Sequence, residues 1–130
     1  MTSINVVVHG VLGKMGQEVL NAVCDVDDLT PVGGADFASS DDDSITTKNS
    51  LKIPLSNDLG KVISNADVVV DFTNADGARN VMSVAAANKV HCVIGSTGLS
   101  EKDFETAQSL AEENGTSIII APNFMVLFYL

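Results

Sequence analysis

The stretch INVVVHGVLGKMG, residues 4–16, decides the fold of this 130-residue chain. Its first six residues form an apolar, β-branched run, which predicts a buried strand over Ile4–His9. We expect Gly10 to permit a tight turn after the strand, Gly13 to admit backbone amides close to a pyrophosphate, and Gly16 to let a helix lie close on the strand. Glycine spacing alone is a weak signal, but with the flanking strand and helix it predicts a dinucleotide-binding loop.

Apolar runs alternate with segments of helical period along the rest of the chain. Further strands are predicted at residues 30–35, 67–72, 90–95 and 116–121, and helices at residues 14–26, 59–65, 76–88 and 101–114. In the first helix, Met15, Val19 and Val23 share one face. This alternation is typical of a parallel sheet that is buried on both faces. The sequence therefore predicts an α/β fold of the Rossmann type, doubly wound, with a mainly parallel sheet and helices on both faces.

The last predicted helix has well-marked ends. Ser100 followed by Asp103 resembles a capping box, and Gly115 suits the C-terminal cap. The helix also carries an apolar stripe that we expect to pack on the sheet, formed by Phe104, Ala107, Leu110 and Ala111.

The segment 41–51 is polar and begins with three aspartates. It is predicted to be a mobile, solvated loop. Metal binding by the aspartates is the weaker alternative, because adjacent residues on an extended chain do not all point at one ion.

Composition excludes several classes of partner. The chain has 17 acidic and 7 basic residues and a formal charge of −10, with Arg79 as the only arginine. Nucleic acids and anionic membranes require clustered lysine and arginine, so neither is an expected partner. No apolar run has the length of a membrane span, and the N-terminus has no basic n-region, so we expect a cytoplasmic protein.

Cys24 and Cys92 lack the spacing of a metal or redox site and are expected to be buried, reduced thiols.

Asp36 lies 20 residues beyond Gly16, at the end of the second predicted strand. An acidic side chain there commonly accepts hydrogen bonds from the adenosine ribose; a solvated turn aspartate is the alternative. The next residue is Phe37 rather than a cation, and it would either stack on adenine or pack against the core. Lys14 is the only nearby candidate to engage a 2′-phosphate. We therefore expect NADH to bind at least as well as NADPH.

Three more segments follow predicted strands, at the sheet edge where ligands bind in open α/β folds. They are DFT at 71–73, GSTG at 95–98 and APNF at 121–124. Together with GVLGKMG, they resemble the 4-hydroxy-tetrahydrodipicolinate reductase family, also called dihydrodipicolinate reductases, over residues 4 to about 124. Each motif also has a plain structural alternative: Asp71 as a strand end, Gly95 and Gly98 as turn formers, and Pro122-Asn123 as a loop corner.

The resemblance implies which residues bind the dinucleotide. Ser96 replaces the first threonine of the family's Gly-Thr-Thr-Gly loop, and this exchange keeps a hydroxyl. The implied cofactor-binding residues are Gly10, Val11, Leu12, Gly13, Lys14, Met15, Asp36, Phe72, Thr73, Gly95, Ser96, Thr97, Ala121, Pro122, Asn123 and Phe124.

The resemblance also implies a reaction, in which hydride passes from the nicotinamide to a small, cyclic imine-type substrate. The family's proton donor lies in a second-domain segment with a His-His-x-x-Lys pattern that this sequence does not contain. His9 and His91 are the only histidines, and both are expected to be structural residues of strands. We therefore assign no catalytic residue and no metal ligand.

We expect a dinucleotide-binding domain over residues 1–124 and an apolar stub over 125–130, at the junction to a missing substrate and oligomerisation domain. The favoured explanation of the stub is truncation; packing back on the domain and self-association are the alternatives. The resemblance implies a homotetramer for the full-length enzyme and no turnover by this chain alone.

Two other functions compete with this interpretation. One is a stand-alone module that binds NAD(H) or another adenine nucleotide, such as coenzyme A, without redox chemistry. The other is the cofactor domain of a different oxidoreductase, such as a sugar-type or homoserine-type dehydrogenase.

Overall fold

The computed structural model describes residues 3–121, which form a seven-stranded sheet flanked by helices. The strands are β1 (Ile4–His9), β2 (Leu29–Ala35), β3 (Asp43–Thr46), β4 (Lys52–Ser56), β5 (Val68–Asp71), β6 (His91–Ile94) and β7 (Ile118–Ile120). The helices are α1 (Lys14–Asp25), α2 (Ala75–Ala87) and α3 (Glu101–Asn114), and a short 3₁₀ turn covers Leu59–Lys61.

The strand order across the sheet is β3-β4-β2-β1-β5-β6-β7. All neighbouring strands are parallel except β3, which pairs antiparallel with β4 at the edge. The chain order runs outward in both directions from β1, so the loops after β1, β2 and β5 meet at the carboxyl edge of the sheet. This confirms the predicted Rossmann-type, doubly wound α/β fold and places a crevice beside β1.

Successive residues of β1 pack on opposite faces of the sheet, since side chains alternate along a strand. Val7 belongs to the core beneath α2 and α3, with Met82. Val8 belongs to the smaller core beneath α1, with Leu20. All four side chains are at most 2% exposed, and each such burial contributes about 1.5–3 kcal/mol. Two cores therefore hold β1 rigidly, and with it the loop that starts at its end.

The five strands and three of the four helices expected from the sequence are present, with ends that differ by up to two residues. The capping box of α3 is confirmed: Ser100 Oγ accepts from the amide of Asp103 at 3.3 Å, and the Asp103 carboxylate accepts from the amide of Ser100 at 2.8 Å. Gly115 ends α3 in the left-handed conformation, with φ of 66°.

The helix predicted over 59–65 is wrong. Only a 3₁₀ turn forms there, and the Asp58 side chain caps it by accepting from the amide of Gly60 at 3.0 Å. Leu59 and Ile63 are buried, so the apolar residues that suggested a helical face anchor a tight turn instead. The segment is too short to offset the cost of nucleating an α-helix.

The mobile loop predicted over 41–51 is wrong in part. Asp43–Thr46 forms the edge strand β3, in which Ile45 pairs with Ile53 of β4. Pro54 of β4 pairs with Ser44 of β3, whereas β2 pairs only with Leu55 and Ser56, so Pro54 lies where its missing amide is tolerated. A turn closes the hairpin, with the amide of Thr47 donating to Leu51 O at 2.8 Å.

Three expectations about burial need correction. Phe104 of the α3 stripe is 46% exposed, because α3 lies over the edge strand β7 and its stripe extends past the sheet. Met15 is 42% exposed, and α1 instead buries Gly16, Leu20 and Val23. Cys92 is buried as expected, whereas Cys24 is only partly buried; both are free thiols.

Candidate functional site

The loop after β1 has the conformation expected of a phosphate-binding loop. Gly10 has φ of 86°, which side-chain-bearing residues rarely adopt, and its amide donates to Ala35 O at 2.7 Å. The amide of Gly13 donates back to Gly10 O at 3.1 Å, which closes the turn. A Cβ on Gly16 would overlap the carbonyl of Gly10, so α1 approaches the loop as closely as the sequence predicts.

Val11 anchors the loop to the protein interior. Its side chain is fully buried, its amide donates to Ala35 O at 3.3 Å, and its carbonyl accepts from Gln17 Nε2 at 2.9 Å. Every hydrogen-bonding group of Val11 is therefore engaged within the protein.

Helix α1 begins directly after the loop, with Gly13 as its N-cap residue. Gly13 has no side chain to accept from the first-turn amides, and these amides have no partner within the helix. Lys14 and Met15 are exposed at this end. The helix thus presents unshared donors and the positive end of its dipole beside the loop.

Asp36 lies at the end of β2 and is only 7% exposed. One carboxylate oxygen accepts from the amide of Leu12 at 2.9 Å, and the other accepts from the amide of Ala38 at 3.0 Å. Asp36 therefore joins the loop after β2 to the loop after β1. Phe37 is 80% exposed, which excludes the alternative that it packs against the core.

A cavity of about 420 Å³ opens between these loops. Six of the residues predicted to bind the cofactor line it, namely Gly10, Leu12, Gly13, Asp36, Phe72 and Thr73. Phe37, Ala38 and Asn74 complete its walls. Sequence reasoning missed Asn74, although an asparagine just before a helical segment is a usual N-cap; its side chain accepts from the amide of Gly77 at 2.8 Å.

A second cavity of about 370 Å³ adjoins the first and shares Phe37, Thr73 and Asn74 with it. Its remaining walls come from β1, the loop after β4 and the start of α2: His9, Asn57, Asp76, Gly77 and Asn80. No sequence motif marked these residues, because they come from three separate segments that only the fold brings together.

The carboxyl ends of β5 and β6 lie next to the loop after β1. Asp71 is fully buried, Ser96 is 6% exposed, and the Ser96 hydroxyl donates to Asp71 at 2.8 Å. The ring of Phe72 lies so close to Gly95 that a Cβ on Gly95 would overlap it. The structure thus brings the DFT and GSTG segments into contact.

Two more of the expected contacts, Thr97 and Ala121, follow β6 and β7. Thr97 is exposed after β6. Ala121 is buried, and its amide donates to Ile94 O at 2.8 Å, beside the end of β6. Pro122, Asn123 and Phe124, as well as the 125–130 stub, lie outside the described residues.

Lys61 and Arg79, two cations of the described residues, are held in ion pairs. Lys61 binds Asp41, which raises the pKa of the lysine ammonium, mainly through the hydrogen bond to the carboxylate. Arg79 binds Asp103 through two nitrogens, at 2.9 and 3.0 Å, and binds Asp76 at 2.8 Å. Neither cation is therefore free to approach an anion without breaking an ion pair.

Residues 3–121 carry no metal-binding cluster and no helix that could span a membrane. No group of three or more histidine, cysteine or acidic side chains in this range is arranged to hold a metal ion. None of its helices combines the length and apolar character needed to cross a membrane.

Comparison with known proteins agrees with this geometry. Residues 4–124 match the family model described as dihydrodipicolinate reductase, N-terminus. A 4-hydroxy-tetrahydrodipicolinate reductase of Dehalococcoides mccartyi strain BAV1 is 44% identical over 126 residues, which cover 95% of this chain and 48% of that protein. The corresponding protein of Synechocystis sp. PCC 6803 is 38% identical over 95% of this chain and 48% of its own length.

Among solved structures, a dipicolinate-bound dihydrodipicolinate reductase from Paenisporosarcina sp. TG-14 superposes with a TM-score of 0.79 and 27% identity, over 96% of this chain and 49% of that one. Homoserine dehydrogenase of S. aureus reaches a TM-score of 0.75 at 19% identity, which shows a shared fold alone. The chain spans about half the length of the curated relatives it matches. With its glycine loop, Asp36 and the DFT and GSTG segments in place, the chain belongs to the family of dihydrodipicolinate reductase N-terminal domains.

Proposed function

We propose that this chain binds NADH or NADPH in the 420 Å³ cavity, as the cofactor-binding half of a 4-hydroxy-tetrahydrodipicolinate reductase. One observation carries the proposal. The cavity joins a glycine loop at a helix N-terminus, a buried carboxylate at the end of β2, and the segment after β5. These are the three places where a Rossmann-type fold contacts a dinucleotide.

The glycine loop and the start of α1 suit a pyrophosphate. The chain has a net charge of −10, and Lys61 and Arg79 are held in ion pairs, so apart from Lys14 at the start of α1 the phosphate oxygens depend on backbone donors here. Gly13 lines the cavity, and the first-turn amides of α1 follow it directly. Helix N-termini bind phosphate through such amides and through the helix dipole.

Asp36 and Phe37 suit the adenosine end. The Asp36 carboxylate lines the cavity and can accept from ribose hydroxyls, whereas a 2′-phosphate offers it only negative charge. Phe37 is exposed between the two cavities, where its ring face is available to adenine. Lys14 is the nearest candidate to bind a 2′-phosphate, and it lines neither cavity. NADH therefore binds at least as well as NADPH.

The nicotinamide end of the proposed site lies along the DFT, GSTG and APNF segments. The bound cofactor supplies a hydride to the cyclic imine-type substrate, and the chain's own residues orient the ring. We assign no proton donor to this half, so it is inactive by itself. The proposed complete enzyme is cytoplasmic and homotetrameric and acts on a small molecule.

Titration of the purified 130-residue chain with NADH, NADPH and coenzyme A, followed by calorimetry, tests this proposal. We expect saturable binding of NADH, NADPH binding of equal or lower affinity, and no competition by coenzyme A. NADPH binding tenfold tighter than NADH would refute the stated preference. Binding of coenzyme A alone would refute the redox role and support a stand-alone nucleotide-binding module.

A further inference from the structure

A buried carboxylate connects the segments that form the cofactor site. Asp71 ends β5 and is 0% exposed. Its Oδ1 lies 2.6 Å from His9 Nδ1 and accepts from Thr73 Oγ1 at 2.8 Å, and its Oδ2 accepts from Ser96 Oγ at 2.8 Å. A carboxylate that only ended a strand would not require three side-chain hydrogen-bond partners.

These partners come from three different segments. His9 immediately precedes the glycine loop, Thr73 lines the cavity, and Ser96 lies in the GSTG loop. Backbone hydrogen bonds join the same segments: the amide of Phe72 donates to His9 O at 3.0 Å, and the amide of Gly95 donates to Asp71 O at 2.9 Å. The Asp71 side chain thus extends the sheet's hydrogen bonding into the loops beyond the strand ends.

The chemistry of the group fixes the direction of its hydrogen bonds. An ionised carboxylate only accepts, so we assign Nδ1–H of His9 as the donor to Asp71. Burying a charge without partners is costly, and donors that converge on it recover most of that cost. The carboxylate and its three donors therefore favour one arrangement of the loops over other arrangements.

Resting on the proposed function, we propose that His9 is a positioning residue that acts through Asp71. Its Nδ1–H donor holds the Asp71 carboxylate so that the glycine loop, Thr73 and the GSTG loop are arranged for the dinucleotide. His9 does this from a side chain that is itself 8% exposed, at the last residue before Gly10. Its donor, rather than its bulk, is the required feature.

Substitutions of His9 distinguish the effect of losing its N–H donor from the effect of changing its side-chain volume. His9→Leu keeps a large side chain and removes the donor. His9→Asn places an amide near the position of Nδ1, and His9→Gln places it near Nε2 instead. His91→Leu is the matched control, because His91 Nδ1 also makes a strand-end hydrogen bond, there as the acceptor from the amide of Ser117 at 2.9 Å, at the opposite edge of the sheet.

The experiment measures the NADH dissociation constant and the apo-protein melting temperature of each 130-residue variant. We expect the dissociation constant to rise about tenfold in His9→Leu and His9→Gln, to stay within threefold of the parent in His9→Asn, and to be unchanged in His91→Leu. If His9→Leu does not fold, the Asn and Gln variants decide the question.

Equal affinities for His9→Asn and His9→Gln would overturn the positioning role, as would full affinity in a folded His9→Leu. A parent chain that binds neither NADH nor NADPH would overturn the proposed function, and this inference with it. Titration of the parent chain with NADH and NADPH therefore distinguishes failure of the positioning role from failure of the proposed function.

Discussion

The carboxylate of Asp36 accepts a hydrogen bond from the backbone amide of Leu12 at 2.9 Å, so the end of β2 holds the loop that follows β1. The two residues are 24 positions apart in the chain. In the proposed complex the same carboxylate also faces the ribose. In that proposed complex, one side chain would both shape the phosphate loop and select between the two forms of the cofactor.

Substitution of Asp36 tests both roles. Asp36→Ala removes the acceptor for Leu12 and for the ribose, and hydrogen bonds to a charged group contribute about 1.5–3 kcal/mol. We expect NADH affinity to fall at least tenfold. Asp36→Asn keeps an acceptor but removes the charge, so the ratio of the NADPH to the NADH dissociation constant should fall. An unchanged ratio in Asp36→Asn would contradict the electrostatic part of the account.

Two glycines of the loop should respond differently to the same substitution. Alanine at Gly16 would place Cβ against the carbonyl of Gly10, so Gly16→Ala should lower the free energy of unfolding by about 1–3 kcal/mol. At Gly13 the backbone has φ of −74°, and the nearest atom to an added Cβ is 3.4 Å away. Gly13→Ala should therefore fold normally and bind NADH more weakly. Urea denaturation and NADH titration of both variants check this, and equal stability of the two would count against it.

Acid stability should depend on Asp103. Hydrogen bonds from Arg79, and then from the amide of Ser100, hold the pKa of Asp103 well below its ordinary value. A lowered pKa stabilises the folded state above the unfolded-state pKa, about 3.9, and this contribution is lost as pH falls further. Asp103→Asn should therefore lower the melting temperature most near pH 7, and the difference from the parent should shrink below about pH 4.

The matched control for Asp103 is Glu105→Gln, which removes the same charge from an exposed position of α3. Its melting temperature should follow that of the parent at every pH. If Asp103→Asn and the parent kept a constant difference from pH 7 to pH 2, the ion pair would not be the cause.

The two cysteines should differ in reactivity. Burial, and secondarily the charge of Asp71, raises the pKa of the Cys92 thiol to about 12, so the reactive thiolate is scarce at pH 8. Cys24 is only partly buried. A thiol-reactive chromogenic disulfide should modify Cys24 in the native chain and Cys92 only after denaturation. The Cys24→Ser variant isolates Cys92, and rapid native-state labelling of that variant would refute the prediction.

Features that depend on short-range rules were predictable from the sequence. The Ser100 and Asp103 capping box and the Gly10 turn each involve residues within a few positions, and local chemistry determines them. The edge strand Asp43–Thr46 was missed because its pairing partner is separated from it by a polar turn, and its own residues are mostly polar. Edge strands carry little of the apolar alternation on which such predictions depend.

The individual residues and segments of the site were predictable from the sequence, but the hydrogen bonds that join them were not. Asp36 and the DFT and GSTG segments were identified from position and motif. The bond from His9 to Asp71 joins residues 62 positions apart, and only the parallel register of β1 and β5 sets them opposite each other. Phe37 was ambiguous for a similar reason, because neighbouring residues do not determine whether a strand-end side chain meets core or solvent.

Mapping the NADH contact surface by amide NMR tests the central claim most directly. A 13.6 kDa chain is well suited to nitrogen-15 correlation spectra. We predict that NADH shifts the amides of Gly10 to Met15, Asp36 to Ala38 and Phe72 to Asn74, and leaves those of β3 and the face of α3 near Phe104 unchanged. Saturable shifts confined to β3 or α3, or no shifts at millimolar NADH, would contradict the assignment of this cavity as the dinucleotide site.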